Sequence, residues 1–537
     1  MNLRTLRTLA LACGLAGSTG AYAVLAPTAA MASTPTYSLA VVGAYGGEPT
    51  IAANTHGELY DTTPSGGTIL YKSTNHGVTW TKTTTADTSS GDDCVATDQY
   101  NAIYECNLAG SQSLGPLQAD VWKSTDDGAS WTYGNNQANP PVVNLCGTSC
   151  SPFGVDRDWV DAWVPTGHHG TGDALVVLMY HDFFGPSRIW VNVSTNGGRT
   201  YSAPEDILSN FTPTSAAEDA LATADSACNT VPTNVKIERT GPHPGRIYVS
   251  WITSDPESAI TGCNVSMVQA FHNLFVAWSD DGGKTWTPQL AYDAGVGHDA
   301  STPFAAMTID NRGNPYIAFA TPAPSDNPAT CATESAAGTL QSDPSCAYHM
   351  WVVWSSDGGP KWDGGGGGDP TGGSARAAYE VDPSQAAQTD VFPGLAAGNP
   401  GHVDVAYLHT NETEPTDALG KFDPGGCAGP GPANGNPTFY PPTCKWVLVE
   451  GQSLNLTLPP GSATWARSVL TPTPVHVGDI CNLGIFCVDP NSNRNLLDFL
   501  SETVDPTTGL AHIAYSDDNT QNKLMVANQT GGPNIGP

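Results

Sequence analysis

The sequence predicts an all-β fold, a seven-bladed β-propeller built from four-stranded antiparallel blades, on three observations. First, an octapeptide of the form S-x-D/N-x-G-x-x-W/Y recurs at Ser73–Trp80, Ser124–Trp131, Ser194–Tyr201, Ser279–Trp286 and Ser355–Trp362. Second, a turn ending in Gly or Asn, followed by an apolar strand, occurs seven times. Third, Thr36–Val42 repeats the pattern that follows the octapeptide, which the end of the chain lacks. Self-similarity on this scale is the signature of a closed ring of like units.

Each element has a local cause. In the octapeptide the Asp or Asn carbonyl oxygen accepts turn N–H groups, glycine supplies a positive φ and Trp folds back as an apolar plug. Its residues are therefore structural first. The second strands are Leu59-Tyr60, Ile103-Tyr104 and the runs within 172–180, 245–251, 313–319, 401–407 and 509–515. Third strands end with Lys445–Glu450 and Lys523–Ala527. In the last two units the octapeptide has decayed, although Ala463-Thr464-Trp465 keeps the closing Trp. The seventh unit runs out of chain before a fourth strand, so the strand near Leu39–Val42 is expected to complete it and remove an unpaired edge. Residues 363–373, DGGGGGDPTGG, read as a flexible insertion.

The repeated octapeptide resembles the Asp-box, or BNR repeat, and the chain resembles the secreted bacterial type of the sialidase-like β-propeller family. That family grips a substrate carboxylate with three arginines, because guanidinium forks match a carboxylate. It uses a tyrosine nucleophile activated by Glu, with an Asp as acid/base. The resemblance implies a glycoside hydrolase acting on extracellular glycans. Two departures stand against it. The family's first arginine sits in an R-I-P motif where this chain reads Glu48-Pro49-Thr50-Ile51, and its propellers have six blades. A non-catalytic propeller that binds a glycan or a protein is the rival reading.

Residues 1–32 read as a secretory leader: Arg4 and Arg7 precede an Ala/Leu-rich stretch, and Ala30-Met31-Ala32 offers a cleavage site. Residues 33–537 are then a single exported propeller domain, expected to be monomeric, with no transmembrane segment. The formal charge of −31 becomes −33 once the two leader arginines leave, which argues against nucleic acid or anionic membrane as partner. Without Cys13, twelve of the 13 cysteines remain in an oxidising compartment. The simplest pairing is by nearest neighbour: Cys94–Cys106, Cys146–Cys150, Cys228–Cys263, Cys331–Cys346, Cys427–Cys444 and Cys481–Cys487.

The strand order sorts residues onto two faces. Octapeptide turns and strand-one-to-two turns share the bottom. The long connections, with the cysteines, lie on top, where long stapled loops point to function. First strands open at the top with Glu48, Asp92 and Asp93, Asp156-Arg157-Asp158, His298 and Asp299, Asp390, Arg494 and Asp498. Glu48, Asp156, Arg157, Asp158, Arg494 and Asp498 are the candidate catalytic residues, and Asp93, Asp299 and Asp390 the candidate substrate contacts. Tyr180, Tyr407 and Tyr515 end second strands near the top and are candidate substrate contacts or nucleophiles; blade packing is their other reading. Carboxylates crowded at a mouth can raise a pKa for general-acid work, bind Ca²⁺, or pair with Arg157 and Arg494 to fix the blades. No cofactor is required by any of these. His181 and His409 read as hydrogen-bonded structural residues.

Overall fold

Seven four-stranded antiparallel sheets follow one another along the chain. The computed structural model describes residues 34–64, 67–86, 91–109, 118–134, 153–184, 189–207, 230–254, 271–293, 305–323, 347–360, 362, 378–381, 389–410, 428–429, 444–456, 463–478, 480–481 and 495–536. Blade 1 comprises Thr50–Ala53, Leu59–Pro64, Thr68–Ser73 and Thr81–Lys82. Blades 2 to 6 open with Asp93–Thr97, Phe153–Trp163, Val231–Ile237, Ala306–Ile309 and Thr389–Ala397. Blade 7 comprises Ser501–Val504, Ala511–Asp517, Lys523–Gly531 and, from the other end of the chain, Thr36–Ala44.

That closing strand runs antiparallel to Lys523–Gly531, with Leu39 opposite Ala527, Ala40 opposite Val526 and Val41 opposite Met525. Val42 is buried, whereas Leu39 and Val41 lie on the outer side and are exposed. The seven first strands touch one another in a closed ring: blade 1 meets blades 2 and 7, and each of the others meets its two neighbours. Their inward surfaces enclose a channel of about 910 Å³. Between the blades lie large buried rings, such as Trp251 stacked on Phe275 at 5.6 Å and Tyr316 on Trp354 at 5.5 Å. Second strands are buried on both sides because each sheet is covered by two neighbours.

The octapeptide turns form the bonds their residues suggest. In blade 4, Ser279 Oγ accepts Gly283 N–H at 2.9 Å and Asp281 Oδ1 accepts Thr285 N–H at 2.9 Å. Trp286 Nε1 donates to Gly283 O at 3.1 Å, and its ring is fully buried. Gly283 has φ +86, a region L side chains avoid. The sixth turn, which the sequence shows as decayed, keeps its bonding. Ser453 Oγ donates to Asn455 Oδ1 at 3.1 Å, and the same oxygen accepts Thr464 N–H at 2.9 Å across an insertion. These turns pack against the one-to-two turns: His76 meets Asp505 at 2.6 Å, and Tyr248 OH donates to Gly313 O at 2.9 Å and Gly358 O at 3.1 Å. The two kinds of turn therefore share a face, as expected.

Cys94 and Cys106 are bonded across the first two strands of blade 2. Cys444 is also disulfide-bonded. Cys481 lies in a short strand parallel to Ala428–Gly429. The pairings expected for Cys146, Cys150, Cys228, Cys263, Cys331, Cys346, Cys427 and Cys487, the leader at 1–32 and the insertion at 363–373 fall outside the described residues. No helix among the described residues is long and apolar enough to cross a membrane.

Candidate functional site

The first strands of blades 1, 3, 6 and 7 are entered through a residue forced into the left-handed region: Glu48 (φ 48°), Arg157 (57°), Phe392 (59°) and Leu497 (58°). In blades 3 and 6 the same place is a β-bulge, between Asp156 and Trp159 and between Val391 and Gly394. Left-handed backbone costs a non-glycine residue about 1–2 kcal/mol, and a bulge re-aims the side chains beside it. Here the result is a cluster at the top of the channel.

Arg157 is at its centre, only 5% exposed. Its Nη2 lies 2.5 Å from Asp498 Oδ2 and 3.8 Å from Glu48 Oε1, so one guanidinium joins blades 1, 3 and 7. The guanidinium stacks on the Phe499 ring at 5.1 Å, and Phe499 packs on Trp159 at 5.2 Å. Trp159 and Phe499 line the channel, whereas the acids above them do not. The aromatic pair thus floors the acidic cluster.

Burial first, then the charges of Asp92 and Asp498, raise the Glu48 carboxyl well above its ordinary range despite Arg157. Burial, followed by the charge of Asp156, pushes the half-buried Asp92 up to about 7. Asp156 goes the other way. Burial works against its charge, but the nearby His181 ring, the Arg157 charge and the interaction with Asp92 hold it below the usual range. His181 Nδ1 bonds Thr230 O at 2.5 Å, which turns Nε2 toward Asp156 Oδ2, 3.9 Å away. Asp92 and Asp156 therefore form an acid–carboxylate pair, and their environments drive the two pKa values apart. That split is how a site assigns a proton donor and a stabilising anion.

Of the candidates read from sequence, the structure brings together Glu48, Asp156, Arg157 and Asp498, with Asp92 among them. Others require correction. Asp93 turns into the layer between blades 1 and 2, where its Oδ2 accepts the Thr62 hydroxyl at 2.7 Å. Asp158 is 4% exposed and neither of its oxygens finds a hydrogen-bond partner; burial raises its pKa, and it does not reach the mouth. Asp390 is buried against His409, 2.7 Å away. Tyr180, Tyr407 and Tyr515 are no more than 2% exposed, and the Tyr180 hydroxyl donates to Asn192 Oδ1 at 2.8 Å. These tyrosines are packing residues, because the end of a second strand is covered on both faces. Arg494 and Asp299 fall outside the described residues.

No known protein family and no curated protein matches the sequence. Among solved structures the chain is similar to a polysaccharide lyase, an ulvan lyase, at 12% identity, 92% of this chain, 96% of that one and a TM-score of 0.48. It is similar to a Hadza microbial sialidase at 13% identity, covering 87% of this chain and 74% of that one, with a TM-score of 0.38. A xyloglucanase from Xanthomonas campestris matches at 14% identity over 91% of this chain and 55% of its own, with a TM-score of 0.38. The three are named as a polysaccharide lyase, a sialidase and a xyloglucanase, so a sialidase is one kind among several.

Proposed function

We propose that the chain is an exported glycoside hydrolase that acts on an extracellular glycan at the acidic mouth. The observation that carries this reading is the Asp92–Asp156 pair, with one carboxyl raised to about 7 and its neighbour held ionised. In this reading Asp92 protonates the leaving oxygen as general acid. Asp156, positioned by His181, stabilises positive charge developing on the sugar ring. The Arg157–Asp498–Glu48 group positions blades 1, 3 and 7 around the pair, and Trp159 with Phe499 offers an apolar floor for a sugar face.

The sialidase form of the reading, with an arginine triad and a tyrosine nucleophile, draws little from the described residues. Arg157 is engaged by Asp498, and the three candidate tyrosines are packed inside. A binding propeller is the second reading, favoured by that same engagement of the buried arginine. The test is turnover of a panel of neutral, uronic and sialylated polysaccharides by the purified chain and by Asp92→Asn. Release of reducing ends by the wild type and not by the variant supports the hydrolase. No turnover on any glycan, with retention on a glycan array, supports the binder.

A further inference from the structure

Three carboxylates outside the mouth cluster stand together where blade 6 meets the strand-closed blade 7. Asp404 is on the second strand of blade 6, Glu450 on its third strand and Glu502 on the first strand of blade 7. All three are buried. One oxygen from each lies within 4.8 Å of the others. None of their six carboxylate oxygens makes a hydrogen bond of ordinary geometry, although Gln452 lies near Asp404, Tyr37 near Glu450 and the Ala406 backbone near Glu502. The three have no ion pair with a described residue. Water-filled surfaces tolerate such groupings, but an interior does not, because an uncompensated buried carboxylate costs several kcal/mol.

A second observation points into the same space. Gln452 sits directly across the strand pair from Asp404, on the same face, and is 2% exposed. Its amide nitrogen donates to Pro533 O at 3.1 Å, its side chain lies against Asp404, and its Oε1 makes no hydrogen bond of ordinary geometry. The Tyr37 hydroxyl, from the closing strand, faces Glu450 without a hydrogen bond of ordinary geometry and feels the charges of Glu450 and Asp404. Among the described residues, oxygen is thus the ligating element that the cluster offers.

The geometry points to a structural Ca²⁺ site formed by Asp404, Glu450 and Glu502, with Gln452 Oε1 as a neutral ligand, clamping blade 6 to blade 7. Three oxygens up to 4.8 Å apart surround a centre no more than about 2.8 Å from each, and small side-chain shifts bring that to the roughly 2.3–2.6 Å of Ca–O bonds. Mg²⁺ binds at about 2.0–2.1 Å and keeps several waters, which a buried cluster does not accommodate. Zinc prefers nitrogen and sulfur, and the cluster draws neither a histidine nor a cysteine from the described residues. Glu502 also lines the central channel, which gives the ion a way in from solvent.

The clamp lies at the seam of the ring. Ser468 of blade 6 donates to Pro35 O at 2.9 Å, and Gln529 of blade 7 donates to Pro533 O at 2.7 Å, so both chain ends converge there. A cation bound here stabilises closure without touching the mouth.

The test uses the purified full chain at neutral pH. Metal analysis after dialysis should find about one Ca²⁺ per chain. EDTA should lower the melting temperature by several degrees, with recovery on adding Ca²⁺ and not Mg²⁺. An Asp404→Asn/Glu450→Gln variant should hold no metal and ignore EDTA, and Glu502→Gln should weaken Ca²⁺ if the double variant fails to fold. A wild-type chain that retains no divalent ion and melts at the same temperature with and without millimolar Ca²⁺ overturns the site. Retention of zinc or manganese in place of calcium overturns the choice of ion.

Discussion

Arg157→Met tests whether the cluster at the channel top is the joint between blades 1, 3 and 7. Methionine keeps much of the stem packing on Phe499 and removes the charge that Asp498 meets at 2.5 Å and Glu48 at 3.8 Å. Removing one partner of a buried pair costs about 3–5 kcal/mol, because the remaining charge is stranded. The stranded group can escape by binding a proton, which makes the penalty depend on pH. Glu48 already has a folded pKa raised above its unfolded value. For a carboxyl shifted upward the folded state holds the extra proton, so stability falls as pH rises between the unfolded and folded values. Loss of Arg157 raises the folded value further and extends that window. Each extra bound proton adds about 1.4 kcal/mol of penalty per pH unit. Denaturant unfolding followed by tryptophan fluorescence should show a small loss at pH 5 and a loss of several kcal/mol at pH 8. A penalty below about 1 kcal/mol at pH 8, or an equal penalty at both pH values, refutes the joint.

Other outcomes follow from the same structure. If Asp92 is the general acid, Asp92→Asn should lower kcat by roughly 10²–10⁴-fold with little change in folding, and the wild-type rate should fall as pH rises through about 7, where Asp92 loses its proton; a rate flat across pH 6–8 rejects the assignment. Trp286, fully buried, should cost about 3–5 kcal/mol when truncated to Ala, whereas the partly buried Trp80 should cost distinctly less, as read from paired melts. Burial also raises Asp61, Asp93 and Asp158, so wild-type stability should decline as pH rises from about 4 toward neutrality; a stability that climbs steadily over that range contradicts the burial of these acids.

The ring was legible because it is written as repetition: the octapeptide, the seven second strands and the matching segment at Thr36–Val42 each recur in linear sequence. The sixth turn hid because an insertion separates Asn455 from Thr464, although the bonds survive. The site was legible only in part. Glu48, Asp156, Arg157 and Asp498 were found because they open first strands, but the turn of each side chain depends on left-handed residues and bulges that periodicity does not encode. That is why Asp158 turns away from the mouth; Asp93, on a regular strand, faces Thr62 of blade 1. The tyrosines misled because a second strand's end looks like a rim in sequence and is covered in three dimensions. Asp404 and Glu450 lie in runs, 401–407 and Lys445–Glu450, that the sequence marks only as strands. The signal available was an acid within an otherwise apolar second strand, where both faces are enclosed.

Blade 7 borrows its last strand from residues separated from their partners by nearly the whole polypeptide, Thr36 lying opposite Gly531. Contacts of such span form late and slowly. Until they form, the first-made strand and the last-made sheet each present an open edge to anything nearby. In crowded refolding mixtures, a neighbouring molecule's Thr36–Ala44 can fill that slot as well as the molecule's own. Exchanged dimers that persist after dilution, with native spectra, are the expected by-product of this architecture.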